Sequence, residues 1–402
     1  MDYLKPVIYG LEWSLVLYLG TAALYILIFS VAGLFTTKRL FSVSKPISRR
    51  YAVLIPGYKE DAVIIAVAQQ ALNQDYPTTL FDVVIIADSF EPSTLKELRK
   101  LPITLVEVSF ESSTKSKALN KAMQTIGDSY DVALILDADN VMEPNFIRKI
   151  DSAFDTGFKV VQGHRVAKNT NTSFAILDAI SEEVNNHIFR KGHRALGFSS
   201  ALIGSGMAFE YTFFKSTMAH INAVGGFDKE LELTLLRDGE KIDYVHDALV
   251  FDEKTQKAAV FAKQRKRWLS AQFIYFRRFI GSGLRELFLR GNFDFFDKVY
   301  QMIAPPRVLL AGTVVIITAL YAVVYGIGQS TLLSVPWKLW LIICLTTVMA
   351  FTLAIPLTFY SFKTLKALLT LPKAFALMFL SLFKLKGANK KFIHTQHGTI
   401  NP

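Results

Sequence analysis

The sequence contains one cysteine, Cys344, among its 402 residues. An intramolecular disulfide and a cysteine-based metal site are therefore excluded, since each needs more than one cysteine side chain. Tandem repeats and low-complexity tracts are also lacking, which argues against a solenoid. Charge is missing from three apolar stretches, residues 13–37, 308–325 and 339–362. Each stretch is long enough to cross a bilayer as a helix, so we predict three membrane spans.

The first apolar stretch is longer than the core of about 7–15 residues in a secretory signal peptide, and Glu12 directly precedes it where basic residues would be expected. We therefore predict that this stretch is a membrane anchor. Lysine and arginine are frequent between residues 38 and 50, frequent again between 363 and 391, and missing from residues 326–335. Because cytoplasmic loops are rich in these residues, we predict a multi-pass protein of the inner membrane, with its amino terminus outside.

The formal net charge is +11, and hydrophobic residues make up 51% of the chain. Much of the basic excess lies beside the apolar stretches. There it fits attraction to anionic lipid headgroups better than binding to nucleic acid. We therefore expect membrane lipids as partners and no nucleic acid.

Residues 50–279 alternate short apolar runs with helical patterns. The runs predict strands at 51–56, 81–87, 103–108 and 132–136, and the patterns between them predict helices at 60–73 and 114–126. Continuous apolar strands separated by helices indicate a mostly parallel sheet covered on both faces. Such sheets bind ligands at the carboxyl ends of their strands. The acids expected to converge at that edge are Glu60, Asp88, Asp137 and Asp139.

Carboxylates at such an edge can accept hydrogen bonds from a ribose, or hold a divalent cation that neutralises a diphosphate. The tripeptide Asp137-Ala138-Asp139 suits the second role, because both carboxylates leave one tight turn. A helix cap is the alternative for this tripeptide and for Asp88. Residues 264–268, Gln-Arg-Lys-Arg-Trp, offer forked guanidinium donors to phosphate oxygens. The alternative for them is a basic patch at the membrane surface with an interfacial tryptophan.

Four motifs together resemble the family 2 glycosyltransferases, and among them the membrane-embedded branch that includes cellulose and hyaluronan synthases. In order they are Ile-Pro-Gly-Tyr-Lys-Glu at 55–60, Asp-Ala-Asp at 137–139, Gly-Gly-Phe-Asp-Lys-Glu-Leu-Glu at 225–232 and Gln-Arg-Lys-Arg-Trp at 264–268. The resemblance covers residues 50–280 and the flanking apolar stretches. It implies a GT-A fold, a nucleotide-binding α/β sheet, which agrees with the strand pattern.

The resemblance also implies roles for single residues. A nucleotide-sugar donor, here a UDP-sugar, would contact Pro56, Tyr58, Glu60, Asp88, Lys117, Asp137 and Asp139. Asp139 would hold Mg²⁺ or Mn²⁺. The acceptor or product would contact Gly204, Ser205, Gly206, Gln264, Arg265, Arg267 and Trp268. A solvated helix lysine is the alternative for Lys117, and an ordinary glycine turn is the alternative for residues 204–207.

The chain departs from the family where the general base is expected. Relatives have Glu-Asp where this chain has Lys229-Glu230. The resemblance therefore implies Glu230 as the base that takes a proton from an acceptor hydroxyl. Asp228 and Glu232 are rivals for that role. The whole acidic run is also compatible with a plain helix start, where acids favour the positive end of the helix dipole.

Five parts are predicted along the chain. They are an N-terminal membrane helix (1–44), a cytoplasmic GT-A domain (45–268), an interfacial amphipathic segment (269–304), two membrane helices (305–362), and an interface helix with a cytoplasmic tail (363–402). Within the tail, Phe392, Thr395 and His397 resemble the gating loop of cellulose synthases. The alternative is a disordered cytoplasmic tail without a gating role.

The implied reaction is the inverting transfer of a sugar to a glycan acceptor at the cytoplasmic membrane face, in polysaccharide synthesis. Transfer to a polyprenyl phosphate or another lipid acceptor is one alternative. A non-catalytic nucleotide-sugar sensor is another, because Lys229 stands where relatives have an acid. Three spans are few for an export tunnel, so we expect a homo-oligomer or an export partner. We also expect Asp139, Glu230 and Arg267 to share one cleft.

Overall fold

A computed structural model gives the fold, and it describes residues 5–36, 47–221, 223, 226–256, 258–329, 331 and 333–383. The predicted gating residues Phe392, Thr395 and His397 lie outside the described residues. Their predicted role therefore stays a prediction.

The described part of the chain contains eight strands, which form one sheet. They are β1 Tyr51–Tyr58, β2 Phe81–Asp88, β3 Thr104–Val108, β4 Val132–Ile135, β5 Val141–Met142, β6 Val160–Ala167, β7 Met207–Glu210 and β8 Ile242–Asp252. Their spatial order is β3-β2-β1-β4-β7-β6-β8-β5. The strands from β3 to β4 are parallel, β7 is antiparallel to both neighbours, and β6 is parallel to β8. The predicted mostly parallel sheet is confirmed, and the strands after residue 140 were not predicted.

The helices surround this sheet and extend beyond it. In the described residues they are α1 Lys5–Ala32, α2 Ile64–Ala71, α3 Pro92–Leu98, α4 Lys115–Ile126, α5 Phe146–Phe154, α6 Ser173–Asn185, α7 His193–Ala195, α8 Tyr211–Met218, α9 Phe227–Arg237, α10 Ala258–Arg290, α11 Phe293–Ile303, α12 Arg307–Gly326, α13 Trp337–Ala354, α14 Phe362–Leu368 and α15 Leu371–Leu382. A π-helix, Asn186–Gly192, joins α6 to α7.

Both faces of the sheet are buried, which is why its central strands are continuous apolar runs. On one face, Leu54 and Ile86 pack in a core with residues of α4, α8 and α9. On the other face, Ile55 and Ile85 pack in a core with residues of α2, α3 and α5. The two cores hold the sheet rigid, and so they fix the position of the loops at its carboxyl-terminal edge.

Three helices in the described residues, α1, α12 and α13, are long and apolar enough to cross a membrane. The pair α14 and α15, bent by 41°, would be a fourth span if it crosses as one. Each predicted apolar stretch therefore contains one such helix, but α1 begins at Lys5 rather than at residue 13, and α13 ends at Ala354 rather than at residue 362. These helices meet in a separate core around Trp340 and Leu19. Glu12, inside α1, accepts hydrogen bonds from the N–H and Oγ of Ser334 at 2.8 and 2.5 Å.

Helix α10 is 33 residues long and runs through residue 268, where the sequence predicted a domain boundary. Tyr275 and Phe279 are buried in the core under the sheet. The first part of the predicted interfacial segment therefore belongs to the sheet domain. Near the end of the helix, Phe288 and Leu289 are 79% and 73% exposed. Such exposed apolar residues are typical of a helix that contacts a membrane interface.

Candidate active site

Predicted site residues lie at the carboxyl ends of three neighbouring strands. Tyr58, the last residue of β1, is paired with Asp88, the last residue of β2. On the other side of β1 lies β4, which ends two residues before Asp137. The N–H of Lys59 also donates a hydrogen bond to the carbonyl of Asp88 at 3.1 Å. The sheet thus brings these strand ends to one edge, as its predicted topology required.

The backbone at this edge adopts an uncommon conformation. Lys59 and Ser89 have φ angles of 55° and 58°, in the left-handed region, which costs a non-glycine residue about 1 kcal/mol or more. Such strain persists where the surrounding structure enforces it, often at ligand sites. Beside these residues, the predicted donor ligands Glu60 and Asp88 are only 8% and 3% exposed.

The end of β1 is packed tightly against the loop that follows β2. Pro56 and Tyr58, both predicted to bind the donor, are half-buried there. Between them, a Cβ on Gly57 would lie 2.6 Å from the Phe90 ring, so only glycine fits. The absence of a side chain at Gly57 thus lets the Phe90 ring pack directly against the end of β1.

The turn after β4 is supported from below by Ser205. Its Oγ accepts a hydrogen bond from the Asp137 N–H at 2.9 Å and donates one to the side-chain oxygen of Asn140. Ser205 is fully buried, and a Cβ on Gly206 would lie 2.6 Å from a β8 side chain. Ser205 and Gly206, predicted to contact the acceptor, lie beneath this turn, and their contact with an acceptor stays a prediction. Gly204 does line the neighbouring cavity.

Asp139, the predicted metal ligand, is 4% exposed. Its carboxylate accepts a hydrogen bond from the Asn140 amide at 3.2 Å, and the Lys168 ammonium donates to its carbonyl. No group of three or more His, Cys, Asp or Glu side chains within the described ranges could hold a metal ion. A carboxylate is the hard oxygen ligand that Mg²⁺ and Mn²⁺ prefer. Asp139 is therefore a suitable type of ligand for such a cation, although its buried carboxylate already accepts hydrogen bonds from Asn140 and from the Glu253 N–H at 3.4 Å.

A cavity of about 520 Å³ lies next to this turn. Its walls come from the turn itself and from residues of α4, α6, α9, α10, α11, α12 and α15. Eight basic side chains line it, namely Lys115, Arg165, Arg190, Lys229, Arg265, Arg267, Lys298 and Arg307. Three acidic side chains line it, namely Asp137, Glu182 and Asp228. The excess of positive charge favours an anionic ligand.

Four predicted residues of the basic-aromatic motif line the cavity: Gln264, Arg265, Arg267 and Trp268. Arg265 forms an ion pair with Asp178 at 2.5 Å, and its guanidinium lies 4.5 Å from the Trp268 ring centre. Its position is therefore fixed, and it holds the tryptophan in place. Burial lowers the pKa of Arg267. An arginine normally titrates so far above neutrality that this side chain stays a cation.

The structure places Lys115 at the cavity, rather than the predicted Lys117. The Lys115 ammonium contacts the Asp137 carboxylate and donates to the Gly204 carbonyl at 2.6 Å. Lys117 is exposed and donates to the Ser112 carbonyl at 2.9 Å. Residues two apart on a helix point about 200° away from each other, so only one of these lysines can face the cavity.

At the start of α9, too, the residue that lines the cavity stands two positions before the predicted one. Glu230, the predicted base, pairs with Arg278 at 2.9 Å and accepts a hydrogen bond from the Tyr275 hydroxyl at 3.4 Å. It does not line the cavity, whereas Asp228 does. A Cβ built on Gly204 would lie 3.9 Å from the Asp228 carboxylate, so this acid is close to the loop that ends at β7.

Glu232, the other rival for the base, has a structural role. It is fully buried, pairs with Lys298 at 2.7 Å and Lys229 at 3.3 Å, and accepts the Leu202 N–H at 3.1 Å. Burial alone would raise the pKa of Glu232, but the two lysines outweigh burial and lower it. This carboxylate therefore stays ionised and ties α9 to α11.

The predicted trio of Asp139, Glu230 and Arg267 is only partly assembled here. Arg267 lines the cavity, but neither Asp139 nor Glu230 does. Among the three acids that share the cavity with Arg267, Asp137 and Asp228 each stand two residues before a predicted one. The site thus combines a cation-rich wall, a strand-edge carboxylate and an acid at a helix start.

Comparisons with known proteins concern the family and the fold. A family described as "Glycosyltransferase like family 2" matches residues 48–271, which is more than half of the chain. Two curated proteins named "Glucans biosynthesis glucosyltransferase H", from the TIE-1 and ATCC BAA-98 / CGA009 strains of Rhodopseudomonas palustris, are each 28% identical over 144 residues. The match covers 32% of this chain and 20% of each relative. This chain thus spans about a fifth of their length.

Among solved structures, the mannosyltransferase PcManGT from Pyrobaculum calidifontis, in complex with GDP-Man and Mn²⁺, has a similar fold. Its TM-score is 0.50 at 15% sequence identity, over 85% of this chain and 97% of that chain. At this identity the likeness concerns the fold alone.

Proposed function

The chain belongs to glycosyltransferase-like family 2, and we propose that it transfers a sugar from a UDP-sugar to a glycan acceptor at the cytoplasmic membrane face. The chain is a membrane-associated glycosyltransferase with a GT-A-type fold. The observation that carries the proposal is the cavity, in which Asp137, Asp228 and Arg267 meet beside the starts of apolar helices. Relatives named for glucan biosynthesis support a role in polysaccharide synthesis.

The donor is proposed to lie along the sheet edge. Glu60 and Asp88 would accept hydrogen bonds from the nucleoside, and Lys115 and Arg267 would contact the diphosphate. Both cations border the cavity, and cationic groups there stabilise the charge of a departing diphosphate. Mg²⁺ or Mn²⁺ held by Asp139 would, when bound, neutralise the same charge. The Mn²⁺ with GDP-Man in the structure of similar fold supports use of a divalent cation.

The acceptor is proposed to lie against Trp268, which is 41% exposed and lines the cavity. Asp228 would accept the proton of the acceptor hydroxyl while that oxygen attacks the anomeric carbon of the sugar. The bond from this carbon to the diphosphate breaks on the opposite face, so the configuration inverts. We assign Asp228 this role because Arg278 already neutralises Glu230 outside the cavity.

The proposal is tested with the purified full chain in lipid nanodiscs. A panel of UDP-sugars is supplied with Mg²⁺, with Mn²⁺ or with a chelator, and the release of UDP and the mass of the product are measured. We expect UDP release from one donor, and only with a divalent cation. Tight UDP binding without release from any donor would contradict the proposal and support the nucleotide-sugar sensor.

A second candidate is a single transfer to a lipid-linked acceptor. It is favoured by the position of the cavity, whose wall includes Arg307 at the start of α12 and Leu371 at the start of α15. A lipid carrier would approach from that side. The product separates the two candidates: a polymer supports the glycan acceptor, and one added sugar supports the lipid acceptor.

A further inference from the structure

The membrane end of the cavity contains a cation with only neutral partners. Arg307, the first residue of α12, donates hydrogen bonds to the side-chain oxygens of Asn185 and Ser181, the second at 3.3 Å. Its guanidinium lies 5.6 Å from the ring centre of Phe189. Across the described ranges, no carboxylate forms an ion pair with Arg307. All four of these residues line the cavity.

Most other cations of the cavity are paired with acids. The pairs are Lys115 with Asp137, Arg165 and Arg190 with Glu182, Lys229 and Lys298 with Glu232, and Arg265 with Asp178. A charge removed from water without a counterion is unfavourable. An anionic ligand beside Arg307 would offset this cost, so the membrane end of the cavity is suited to an anion.

Two other arginines of the cavity have buried side-chain nitrogens without a hydrogen-bond partner in the described residues. The Nε atoms of Arg165 and Arg265 are buried and have no hydrogen-bond partner among the described residues. Buried polar atoms without partners are uncommon in native proteins and call for a ligand or water. Both residues line the cavity. Both arginines thus add positive charge to the cavity wall.

Next to this cationic wall, the cavity is apolar. Leu371, Ala374 and Met378, all on α15, line it. Helix α15 lies close to α12, because a Cβ on Gly312 would come within 2.3 Å of the Phe375 ring. The apolar surface of α15 continues outside the cavity, where Phe379, Leu380 and Phe383 are 45%, 58% and 74% exposed. A ligand with an anionic head and an apolar tail matches both walls.

We propose that Arg307, Asn185 and Ser181 bind the phosphate of a membrane lipid carrier, whose apolar chain lies along α15. The guanidinium offers a fork of donors to phosphate oxygens, and the amide and hydroxyl add further donors. The inference rests on the proposed function, since the carrier would present the acceptor in the cavity that receives the donor sugar. Free phosphate would leave the apolar wall exposed to water, and a neutral glycan would leave Arg307 without an anion.

The test uses the full chain in phosphatidylcholine nanodiscs that contain a polyprenyl monophosphate. We expect the wild type to bind this lipid and not the matching polyprenol. Arg307→Gln should weaken binding about tenfold to a hundredfold, because a charge-assisted contact is lost. Arg307→Lys should retain part of the affinity, since it keeps the charge but not the fork. The matched control is Arg290→Gln, an exposed arginine paired with Glu286, which should bind as the wild type does.

Three results would overturn the inference: equal affinity of Arg307→Gln and wild type, equal binding of polyprenol, or competition by inorganic phosphate as strong as that by the lipid. Should Arg307→Gln fail to fold, Ser181→Ala is the substitute, with a loss of about threefold to tenfold expected for one hydrogen bond. Unchanged binding by Ser181→Ala would then count against the site.

The same wild-type preparation separates this inference from the proposed function. UDP release from UDP-sugars is measured with the polyprenyl monophosphate present. No release from any donor, together with lipid binding that depends on Arg307, contradicts the proposed transfer and supports the lipid site. Normal release, together with lipid binding that is insensitive to Arg307→Gln, contradicts only the lipid site.

Discussion

The cavity has two ends that differ in charge and in the way their side chains are held. At the sheet end, Asp137 follows a buried strand, and its turn is fixed by Ser205 below it. At the membrane end, Arg307 is held by two neutral side chains on α6. The sheet end has fixed acids beside paired cations, whereas the membrane end has a cation without an acidic partner. We therefore expect substitutions at the two ends to separate donor use from acceptor use.

The largest effect is expected for Asp139→Ala, in the turn beside the sheet end of the cavity. Loss of the predicted metal ligand should lower metal-dependent UDP release by about a thousandfold or more, because the charge of the leaving diphosphate is no longer neutralised. Initial rates at several Mn²⁺ concentrations measure this. The control is Asp128→Ala, an exposed acid paired with Lys215, which should leave the rate unchanged. A normal rate of UDP release by Asp139→Ala would contradict the proposed role of the metal.

The second prediction concerns the acids between the two ends. Asp228→Asn should lower turnover about a hundredfold to ten-thousandfold, because a general base is lost, while UDP affinity stays close to that of the wild type. Glu230→Gln should have a smaller effect, since that carboxylate pairs with Arg278. Single-turnover rates and UDP binding are measured for both variants. A larger loss of turnover for Glu230→Gln than for Asp228→Asn would identify Glu230 as the base, as the family resemblance implies.

The sheet end was predictable from the sequence because its residues follow strands. Apolar runs mark where β1, β2 and β4 end, and parallel pairing forces Asp88 and Asp137 to one edge. The membrane end was not predictable in this way. Arg307 begins an apolar stretch, and no local pattern shows that α6 and α15 fold over it. Only tertiary contacts between distant helices create that site.

Two predicted side chains, Lys117 and Glu230, lie away from the cavity for one physical reason. Lys115 and Asp228 each stand two residues before the predicted residue, at the start of a helix. Spacing in the sequence locates a helix but leaves its rotation open, and two positions change the direction of a side chain by about 200°. The N-cap at Thr114, whose side chain accepts the Lys117 N–H, was the one local signal that could have fixed the start of α4.

A third prediction sharpens this point about helix rotation. Lys115→Ala should weaken the apparent affinity for the UDP-sugar about tenfold to a hundredfold, because a cation beside the diphosphate is lost. Lys117→Ala removes the same charge from the exposed face of the same helix and should bind as the wild type does. The KM for the donor is compared for the two variants. Equal losses would show that the net charge of the helix matters, and not the contact.

The smallest effect is expected at low pH. It concerns the stability that buried ion pairs between the two ends of the cavity give to the fold. The pKa of Glu232 is lowered in the folded protein, as is that of Glu182 beside Arg165. Such carboxylates stabilise the fold fully above their ordinary pKa of about 4, and this contribution is lost as pH falls through the lower folded value. The unfolding temperature in detergent should therefore drop by a few degrees below pH of about 4. An unfolding temperature that is flat in this window would contradict these pairings.

The central claim is that one cavity joins the sheet end and the membrane end. A structure of the full chain in nanodiscs with UDP and Mn²⁺ tests this claim most directly. The account predicts the nucleoside at Glu60 and Asp88, and the diphosphate between Asp139, Lys115 and Arg267. The space beside Trp268 and Arg307 should stay open for the acceptor. UDP bound away from the strand edge, or a diphosphate that contacts neither Lys115 nor Arg267, would contradict it.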